Sequence, residues 1–542
     1  MCIMNGRMEC HCLPAHELPH TTELYAAFLT DFARVRRFFA HPADFEGARA
    51  AAAEVSLVPE ARRGICELLS EQNRAFGGGS EVARNIDRLA AGAAAVVTGQ
   101  QAGLFGGPAY SFYKALSAVE LARQLTKSGV QAVPVFWLAS EDHDLAEINH
   151  CYWYAGGGLQ RLELLPEVDA EGRSVGHVPL GSEGERLAER AVALLEGESL
   201  EWVADALRES YTQRDTFSTA FGKLMTRLLA GRGLVVLDPL DRRLHQLAAP
   251  VFEQALEQRE ELAGALLARN KELEKAGFHA QVRVTARSTL LFFEAEGRRL
   301  AVRQQGEGLV AGSAKFSNDE LRAALESSPE SFSANALLRP IVQDAVLPTA
   351  AYIGGPAEVA YLAQSQVIYK RILGRMPAVL PRAGFTLVDA HVGKLLKRYG
   401  LTVQNVMASR QGLHRKLELA SVPRGLARQF DGGEKSLRVL LRKLRVPLKK
   451  LDRSLAGALD TAERKMLYQF LKLRGKAGRA ENLRAGVLDR HERTLLDSLY
   501  PHRAPQERVQ GLLPWLARYG PGLLVELERR AKGGAQHQVL YL

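Results

Sequence analysis

The chain has 542 residues, of which 46% are hydrophobic and 24% charged, and its formal net charge is +10. The length allows about three or four domains, and the composition excludes disordered, collagen-like and disulfide-scaffold proteins. Five cysteines, no signal-peptide core and no apolar run near the ~20 residues of a membrane helix lead us to expect a cytoplasmic protein.

The first 90 residues predict helices. Apolar side chains recur there at spacings of three and four, which places them on one helix face. The residues that carry this spacing are Leu24, Phe28, Phe32, Val35 and Phe39.

The next segment predicts the core of an α/β fold. Short apolar runs at 94–98 and 133–139 enclose a glycine-rich turn at 99–108 and an amphipathic helix at about 109–127. This order is typical of a βαβ unit, and strands without polar alternation indicate a parallel sheet covered on both faces. We therefore expect an α/β core built on a parallel sheet.

Connective insertions follow this unit. From 151 to 231 the pattern is helical and polar, and it is followed by a buried strand at 233–238 and a helix at about 242–275. Within 280–330, two strands that flank Glu294–Gly297 predict a β-hairpin.

After about residue 390 the chain reads as almost wholly helical. Leucines from Leu437 to Leu455 follow the spacing of a coiled-coil seam, and Met466, Phe470 and Leu473 form the predicted opposing face. Of the residues between Glu434 and Asp497, 17 are Lys or Arg and 8 are Asp or Glu, so most of the net charge lies here. The predicted boundaries are a catalytic core at 1–389, a helical coiled-coil domain at 390–510 and a tail at 511–542 that packs back on the core.

The glycine-rich turn is the first candidate site. Glycines at 103, 106 and 107 let backbone amides approach an anion, and the next helix directs its positive end at the same spot. Side-chain donors accompany them, and the alternative is a tight turn that needs glycine only for packing. The residues predicted to bind the phosphate or carboxylate of a cofactor here are Gln100, Gln101, Gly103, Gly106, Gly107 and Lys114.

The second candidate site follows the strand at 133–139. Glu141, Asp142, His143 and Asp144 lie at the carboxyl edge of the predicted sheet, where α/β proteins bind ligands. An imidazole among carboxylates can act as a general base. The alternative is a helix N-terminus capped by acids.

The third candidate site lies within 336–389, a stretch dense in Gly, Pro, Arg and Glu that predicts site-forming loops. Arg offers a fork for carboxylate or phosphate, while the alternative is an Arg that bridges loops. The residues predicted to bind substrate here are Arg339, Gln343, Gly354, Gly355 and Glu358.

These motifs resemble the BshC family, the cysteine-adding ligases of bacillithiol biosynthesis. The resemblance covers nearly the whole chain from about Leu18. Its carriers are Thr98–Pro108, Pro134–Trp137, Glu141–Asp144, Glu147–Asn149, Arg339–Pro340 through Gly355–Pro356, Pro381–Thr386, Pro505–Val509 and Tyr519–Gly520.

The resemblance implies a Rossmann-like core with connective insertions, similar in plan to class I aminoacyl-tRNA synthetases, and a coiled-coil domain that forms a homodimer. It also implies the reaction, in which the carboxyl of cysteine is joined to the amine of glucosaminyl-malate. Glu141 and Asn149 join the residues expected to bind substrate. The chain lacks the His-Ile-Gly-His and Lys-Met-Ser-Lys-Ser signatures of those synthetases.

Amide formation from a free carboxylate is uphill in water, so we expect activation by ATP with Mg²⁺. In this hypothesis the turn amides and Lys114 hold anionic oxygens. His143, positioned by Asp142 or Asp144, removes a proton from the attacking amine, and Arg339 binds the malate carboxylates.

Two alternatives stay open. The first is an adenylate-forming ligase or nucleotidyltransferase of the same plan that acts on another acid. The second is a nucleic-acid-binding helical protein, which the basic C-terminal segment suggests. Its basic residues lie on coiled-coil flanks without interleaved aromatic residues, so nucleic acid is the less favoured partner.

Overall fold

The computed structural model describes residues 9–485 and 488–542. The chain divides into two compact units. Among the described residues, the first unit comprises His11–Phe385 and Glu507–Gln538, and the second comprises residues 9–10, Thr386–Gln506 and Val539–Leu542. No described helix combines the length and the apolar character needed to cross a bilayer.

The N-terminal segment is helical after one short strand, as predicted. The predicted apolar face is divided between two helices that meet at Asp31, and the Phe28 ring contacts the rings of Phe32 and Phe39 at centroid distances of 5.7 and 5.0 Å. The elements are β1 (Glu9–Pro14), α1 (Glu23–Thr30), α2 (Phe32–Val35), α3 (Phe45–Ala53), α4 (Pro59–Ala75) and α5 (Ser80–Ala90).

The predicted βαβ unit is confirmed. Its two strands are buried along nearly their whole length, because Ala, Val and aromatic residues face helices on both sides of the sheet. The unit consists of β2 (Ala94–Gln100), α6 (Tyr110–Lys127) and β3 (Ala132–Leu138).

The first insertion is only partly helical, so the prediction for 151–231 is corrected. It opens with an antiparallel hairpin, and buried residues alternate with partly exposed ones along its first strand. This period of two is typical of a half-buried strand and was not recognised in the sequence. The elements are α7 (Leu145–Ile148), β4 (His150–Ala155), β5 (Gly158–Glu163), α8 (Gly181–Val192), α9 (Leu200–Ser210) and α10 (Phe217–Leu228).

The following region contains the predicted buried strand and the predicted hairpin. The single helix expected at 242–275 is instead two helices that meet at Gln258. The hairpin belongs to a five-stranded antiparallel sheet. The elements are β6 (Val235–Leu237), α11 (Arg242–Glu257), α12 (Arg259–Lys275), β7 (Ser288–Ala295), β8 (Arg298–Gln305), β9 (Gly308–Ala311), β10 (Ala314–Phe316), α13 (Asn318–Ser327) and β11 (Phe332–Ala334).

The stretch 336–389 consists mainly of helices and strands, and not of loops as predicted. Its Gly-Gly-Pro sequence marks the end of a strand and the start of a helix, since Pro fits the first helical turn. The elements are α14 (Arg339–Val346), β12 (Thr349–Gly354), α15 (Pro356–Ile372), β13 (Ala378–Pro381) and β14 (Gly384–Val388).

The remaining chain is mostly helical, as predicted. In the second unit, Leu441 of the predicted seam is buried, whereas Leu451 is 82% exposed. Phe470 packs on Phe430 at a centroid distance of 5.3 Å, while Met466 and Leu473 of the predicted opposing face are exposed. The elements are α16 (Ala390–Tyr399), α17 (Val403–Ala408), α18 (Arg410–Ala420), α19 (Arg424–Leu451), α20 (Leu455–Ala485), α21 (Leu488–Leu499), α22 (Gln506–Val509), α23 (Leu513–Tyr519), α24 (Pro521–Arg530) and β15 (Gln536–Tyr541).

The central sheet of the first unit has the strand order β13-β12-β2-β3-β6, and all neighbouring pairs are parallel. The order of the strands along the chain reverses between β2 and β12, which makes this the topological switch point of a Rossmann-like sheet. All five strands point their carboxyl ends at one edge, so ligands are expected there.

Candidate functional site at the carboxyl edge of the sheet

Two of the predicted clusters meet at the ends of β2 and β3. The Gln101 side-chain amide donates to Asp142 Oδ2 and to Glu147 Oε2, each at 2.7 Å. A Cβ at Gly99 would lie 2.8 Å from the Trp137 carbonyl oxygen, so only glycine lets the two strands approach this closely. The predicted proximity of the glycine-rich turn and the acidic histidine cluster is confirmed.

The backbone amides of the glycine-rich turn are already bonded within the protein. The N–H groups of Gly103, Gly106 and Gly107 donate to carbonyl oxygens inside the turn at 2.9, 3.1 and 2.9 Å. The Phe105 N–H donates to the Tyr211 hydroxyl at 2.6 Å. The structure therefore contradicts the predicted anion cradle at these amides, because a tight 3₁₀ turn satisfies them.

The glycines of this turn serve close packing. Gly106 has a φ of +85°, and a Cβ there would lie 2.7 Å from the ring of Phe112. The start of α6 is also covered, since the Ala109 N–H donates to the Gln510 carbonyl oxygen at 2.8 Å. The alternative reading of this motif, a turn that needs glycine for packing, is the one that the geometry supports.

Lys114 connects the end of β2 to α15. Its ammonium group donates to Gly99 O at 2.5 Å and to Gln100 Oε1 at 3.1 Å, and it pairs with Glu358 Oε2 at 2.6 Å. Its side chain is only 1% exposed, and burial lowers the pKa of Lys114 while Glu358 opposes that shift. All three N–H donors are used inside the protein, so Lys114 does not reach out to a ligand as predicted.

Glu358 is the centre of the contacts at the start of α15. It accepts hydrogen bonds from the Tyr352 hydroxyl at 2.6 Å and from the Gly355 N–H at 2.7 Å. Burial by itself would raise the pKa of Glu358, but Lys114 holds it below the usual range of a glutamic acid. Glu358 is therefore a fixed carboxylate that orders the ends of β2 and β12.

Arg339 lies at the same edge, as predicted. Its guanidinium donates to Gln343 Oε1 at 3.0 Å and to the hydroxyls of Tyr361 and Tyr352 at 3.1 and 3.4 Å. Gln343 is fully buried and donates in turn to Asp344 at 2.8 Å. Burial by itself would lower the pKa of Arg339, but Tyr361, Tyr352 and the Glu358 carboxylate raise it, so the guanidinium stays charged at this edge.

The acidic residues after β3 occupy three different environments. Glu141 is 12% exposed and its carboxylate lies 3.6 Å from His245 Nε2; burial raises the pKa of Glu141. Asp144 caps α7 by accepting the Glu147 N–H at 3.3 Å. This agrees with the alternative interpretation of the cluster, a helix N-terminus capped by acids. Asn149 is buried, and its side-chain oxygen lies 3.3 Å from the ring of His150.

His143 is partly exposed and is held from the side of the β7–β8 hairpin. Its Nδ1 lies 3.2 Å from Arg299 Nη1, and its ring centroid lies 5.8 Å from that of Phe292. Asp142 Oδ1 is 3.7 Å from the same ring nitrogen, which is beyond hydrogen-bond distance. This oxygen instead accepts the backbone N–H of His143 at 2.8 Å. The predicted orienting role of Asp142 or Asp144 is therefore corrected in favour of Arg299.

Two arginines at this edge were not predicted from the sequence. Arg299 comes from the hairpin insertion, far along the chain from His143, and no local motif marks it. Arg382 follows β13; it donates to Glu507 at 2.6 Å and lies over the Tyr110 ring at 5.3 Å. Its position directly after a strand of the parallel sheet was the available signal.

The edge as a whole alternates cations and carboxylates. Two of the oppositely charged pairs at this edge, Lys114–Glu358 and Arg382–Glu507, are formed inside the protein. Among the described residues, the group of possible metal ligands lies elsewhere, in the second unit, and consists of His414, Asp489 and Glu492.

Two family models together match nearly the whole chain. Residues 8–383 match the family description "Bacillithiol biosynthesis BshC, N-terminal Rossmann-like domain", and residues 385–542 match "Bacillithiol biosynthesis BshC, C-terminal coiled-coil domain". A protein of Koribacter versatilis named "Putative cysteine ligase BshC" is 41% identical over 530 residues, which cover 98% of this chain and 99% of that protein. Proteins of the same name from Solibacter usitatus and Chlorobaculum tepidum are 39% and 33% identical, over 95% and 87% of this chain and 96% and 87% of their own lengths.

Proposed function

Because the chain belongs to the BshC family of bacillithiol biosynthesis, we propose that it joins the carboxyl of L-cysteine to the amine of glucosaminyl-malate, forming bacillithiol. It is a ligase, and the bond formed is an amide. The observation that carries the proposal is the meeting of the ends of β2 and β3 through Gln101, Asp142 and Glu147 at the ligand-binding edge of the sheet.

The proposed chemistry begins with the activation of a carboxylate. Amide formation is uphill in water, so ATP would supply the activation. A cysteine carboxylate oxygen would bond to phosphorus, releasing pyrophosphate to give an acyl-adenylate or ADP to give an acyl-phosphate, and Mg²⁺ would neutralise the phosphate charges. The closed amides of the glycine-rich turn do not fit a phosphate cradle, and no step is assigned to them. In this proposal, side chains at the carboxyl edge of the sheet bind the anionic oxygens.

The second step is attack by the amine. The amine nitrogen forms the new bond to the carbonyl carbon, and the bond to the leaving group breaks with its electron pair. This step needs a donor for the oxygen on which negative charge develops and an acceptor for the amine proton. The proposal assigns one of these two tasks to His143 and the other to Asp142. The two residues are adjacent and partly exposed.

Arg339 is proposed to bind the malate carboxylates. Its guanidinium is oriented by the Tyr352 and Tyr361 hydroxyls and keeps its charge. Substitution Arg339→Met should raise the KM for glucosaminyl-malate by about tenfold or more, while the KM for cysteine changes little. A change in the cysteine KM alone would contradict this assignment.

We also propose a homodimer that pairs through the second unit. The supporting observation is a row of exposed apolar side chains on α19, including Val439, Leu440 and Val446, which is unusual on a helix facing only water. Light scattering should give twice the monomer mass for the wild type and the monomer mass for Leu440→Lys/Val446→Lys. A monomeric wild type would refute the dimer.

The decisive test of function is product formation. Purified protein with cysteine, glucosaminyl-malate and ATP should produce bacillithiol, detected by mass spectrometry, and omission of ATP should abolish it. Thermal stabilisation by each ligand alone would show which of them bind the native protein. Failure to form the amide under all conditions would overturn the proposal, and formation without ATP would overturn only the activation step.

A further inference from the structure

Arg299 is a rigidly held guanidinium at the candidate site. Its plane lies over the Phe292 ring with 3.8 Å from its central carbon to the ring centroid. Nε donates to Ser333 Oγ at 2.8 Å, and Nη2 donates to the Ala334 carbonyl oxygen at 2.7 Å. These contacts aim the remaining nitrogen, Nη1, at His143 Nδ1, 3.2 Å away.

This contact decides which ring nitrogen of His143 carries hydrogen. An arginine side chain has only N–H donors and no acceptor, so Nδ1 must accept. In a neutral imidazole one nitrogen accepts and the other carries the hydrogen, so the hydrogen is on Nε2. Asp142 does not reverse this choice, since its Oδ1 accepts the backbone N–H groups of His143 and Asp144 at 2.8 and 3.4 Å.

We propose that Arg299 is a positioning residue that holds His143 in the Nε2–H form, so that His143 acts as a hydrogen-bond donor in the reaction and not as the proton acceptor. The catalytic part of this inference rests on the proposed function. In the amine attack, the Nε2–H group of His143 donates to the oxygen on which charge develops and keeps its proton. The proton released by the amine goes to the Asp142 carboxylate.

The tautomer is tested without any substrate. Protein labelled with ¹⁵N-histidine is measured by long-range ¹H–¹⁵N NMR at pH 8.5, above the ~6.5 of an ordinary imidazole. Loss of one set of signals in His143→Gln assigns the ring among the 14 histidines. We expect an Nε2–H ring in the wild type, with an Nδ1 signal displaced by its hydrogen bond.

Two substitutions separate the contact from the fold. In Arg299→Met, the Nδ1 signal should move to the position of an unbonded nitrogen, and Arg299→Lys should restore part of the displacement. Arg298→Met is the matched control, since Arg298 is the next residue on the same strand and pairs instead with Asp169, 3.7 Å away. Either of two results would overturn the inference. The first is a wild-type ring with hydrogen on Nδ1, and the second is an Nδ1 signal that does not move in Arg299→Met.

Kinetics test the donor role. His143→Gln keeps an N–H donor and should retain at least about tenfold more kcat than His143→Ala, whereas a general base would be lost equally in both. Arg299→Met should lower kcat by about 10- to 100-fold with a small change in KM. Equal losses in Gln and Ala would refute the donor role. If the wild type forms no amide, the proposed function fails, while the NMR result still decides the tautomer.

Discussion

Charged side chains at the sheet edge of the first unit differ in burial from those on the long helices of the second unit. At the sheet edge of the first unit, the Lys114–Glu358 pair is 1% and 16% exposed. On the long helices of the second unit, Arg445 and Asp460 form a pair that is 51% and 46% exposed. Buried charges are costly unless they are paired, whereas exposed pairs contribute little.

This difference in burial distinguishes the candidate site at the sheet edge from the solvent-exposed surface of the long helices. The surplus of basic residues lies in the second unit, whereas the buried pair Lys114 and Glu358, whose pKa values are both shifted, lies at the carboxyl edge of the first. Perturbed titratable groups are typical of functional sites, and exposed charges are typical of a solvated helix face. Net charge therefore indicated one region of this chain, and the candidate site lies in another.

The largest effect that would test the comparison concerns the buried pair. Lys114→Met should lower the free energy of unfolding by about 3 kcal/mol or more, because it leaves Glu358 buried without its cation. Arg445→Met, which breaks the exposed pair, should cost less than about 1 kcal/mol. Urea denaturation measures both. The comparison fails if the two variants lose similar stability, and the double variant Lys114→Met/Glu358→Leu should recover part of the loss.

The second prediction concerns the glycine-rich turn as a packing device. Gly106→Ala should cost about 2 kcal/mol or more, since a positive φ and contact with Phe112 both oppose a Cβ. Gly277→Ala is the control: its φ is +83°, but none of the described residues beyond its chain neighbours lies within 4 Å of the place that its Cβ would take, so it should cost only about 1 kcal/mol. Equal costs would show that packing against Phe112 does not matter.

The smallest effect is a pH dependence in the second unit. His414 Nδ1 contacts Glu492 at 2.6 Å, and this hydrogen bond raises the pKa of His414 above its ordinary value of 6.5. A raised folded pKa means that the stabilisation is complete below the unfolded pKa and is lost as pH rises through the folded one. The difference in unfolding free energy between wild type and His414→Gln should therefore shrink as pH increases from about 5 to about 9. A difference that grows with pH would contradict this.

Local patterns predicted much of the fold. The apolar runs at 94–98 and 133–139 identified β2 and β3 because a strand buried on both faces has no polar alternation. The helix expected at 109–127 begins one residue later. The β4–β5 hairpin was missed, since its half-buried alternation lies inside a polar stretch that resembles helix.

The site was predicted in its location and less well in its roles. Residues after a parallel strand lie at the carboxyl edge by topology, which placed Asp142 and His143 correctly. Arg339 begins α14, before β12, and only the structure shows its contact with Tyr352 of β12. The state of each group depends on partners from distant segments: Tyr211 closes the turn at Phe105, and Arg299 reaches His143 from 156 residues away. No local pattern contains such a partner.

For this chain, the order of apolar and polar residues was enough to predict the buried strands β2, β3 and β6, the carboxyl edge after β2 and β3, and the helical second unit, because periodicity and strand burial are local properties of the sequence. Which amides are free, which lysine is buried against a glutamate and which nitrogen of His143 carries hydrogen were decided by the tertiary structure alone. Hydrogen bonds and burial join segments that the chain keeps far apart, so these properties exist only after folding.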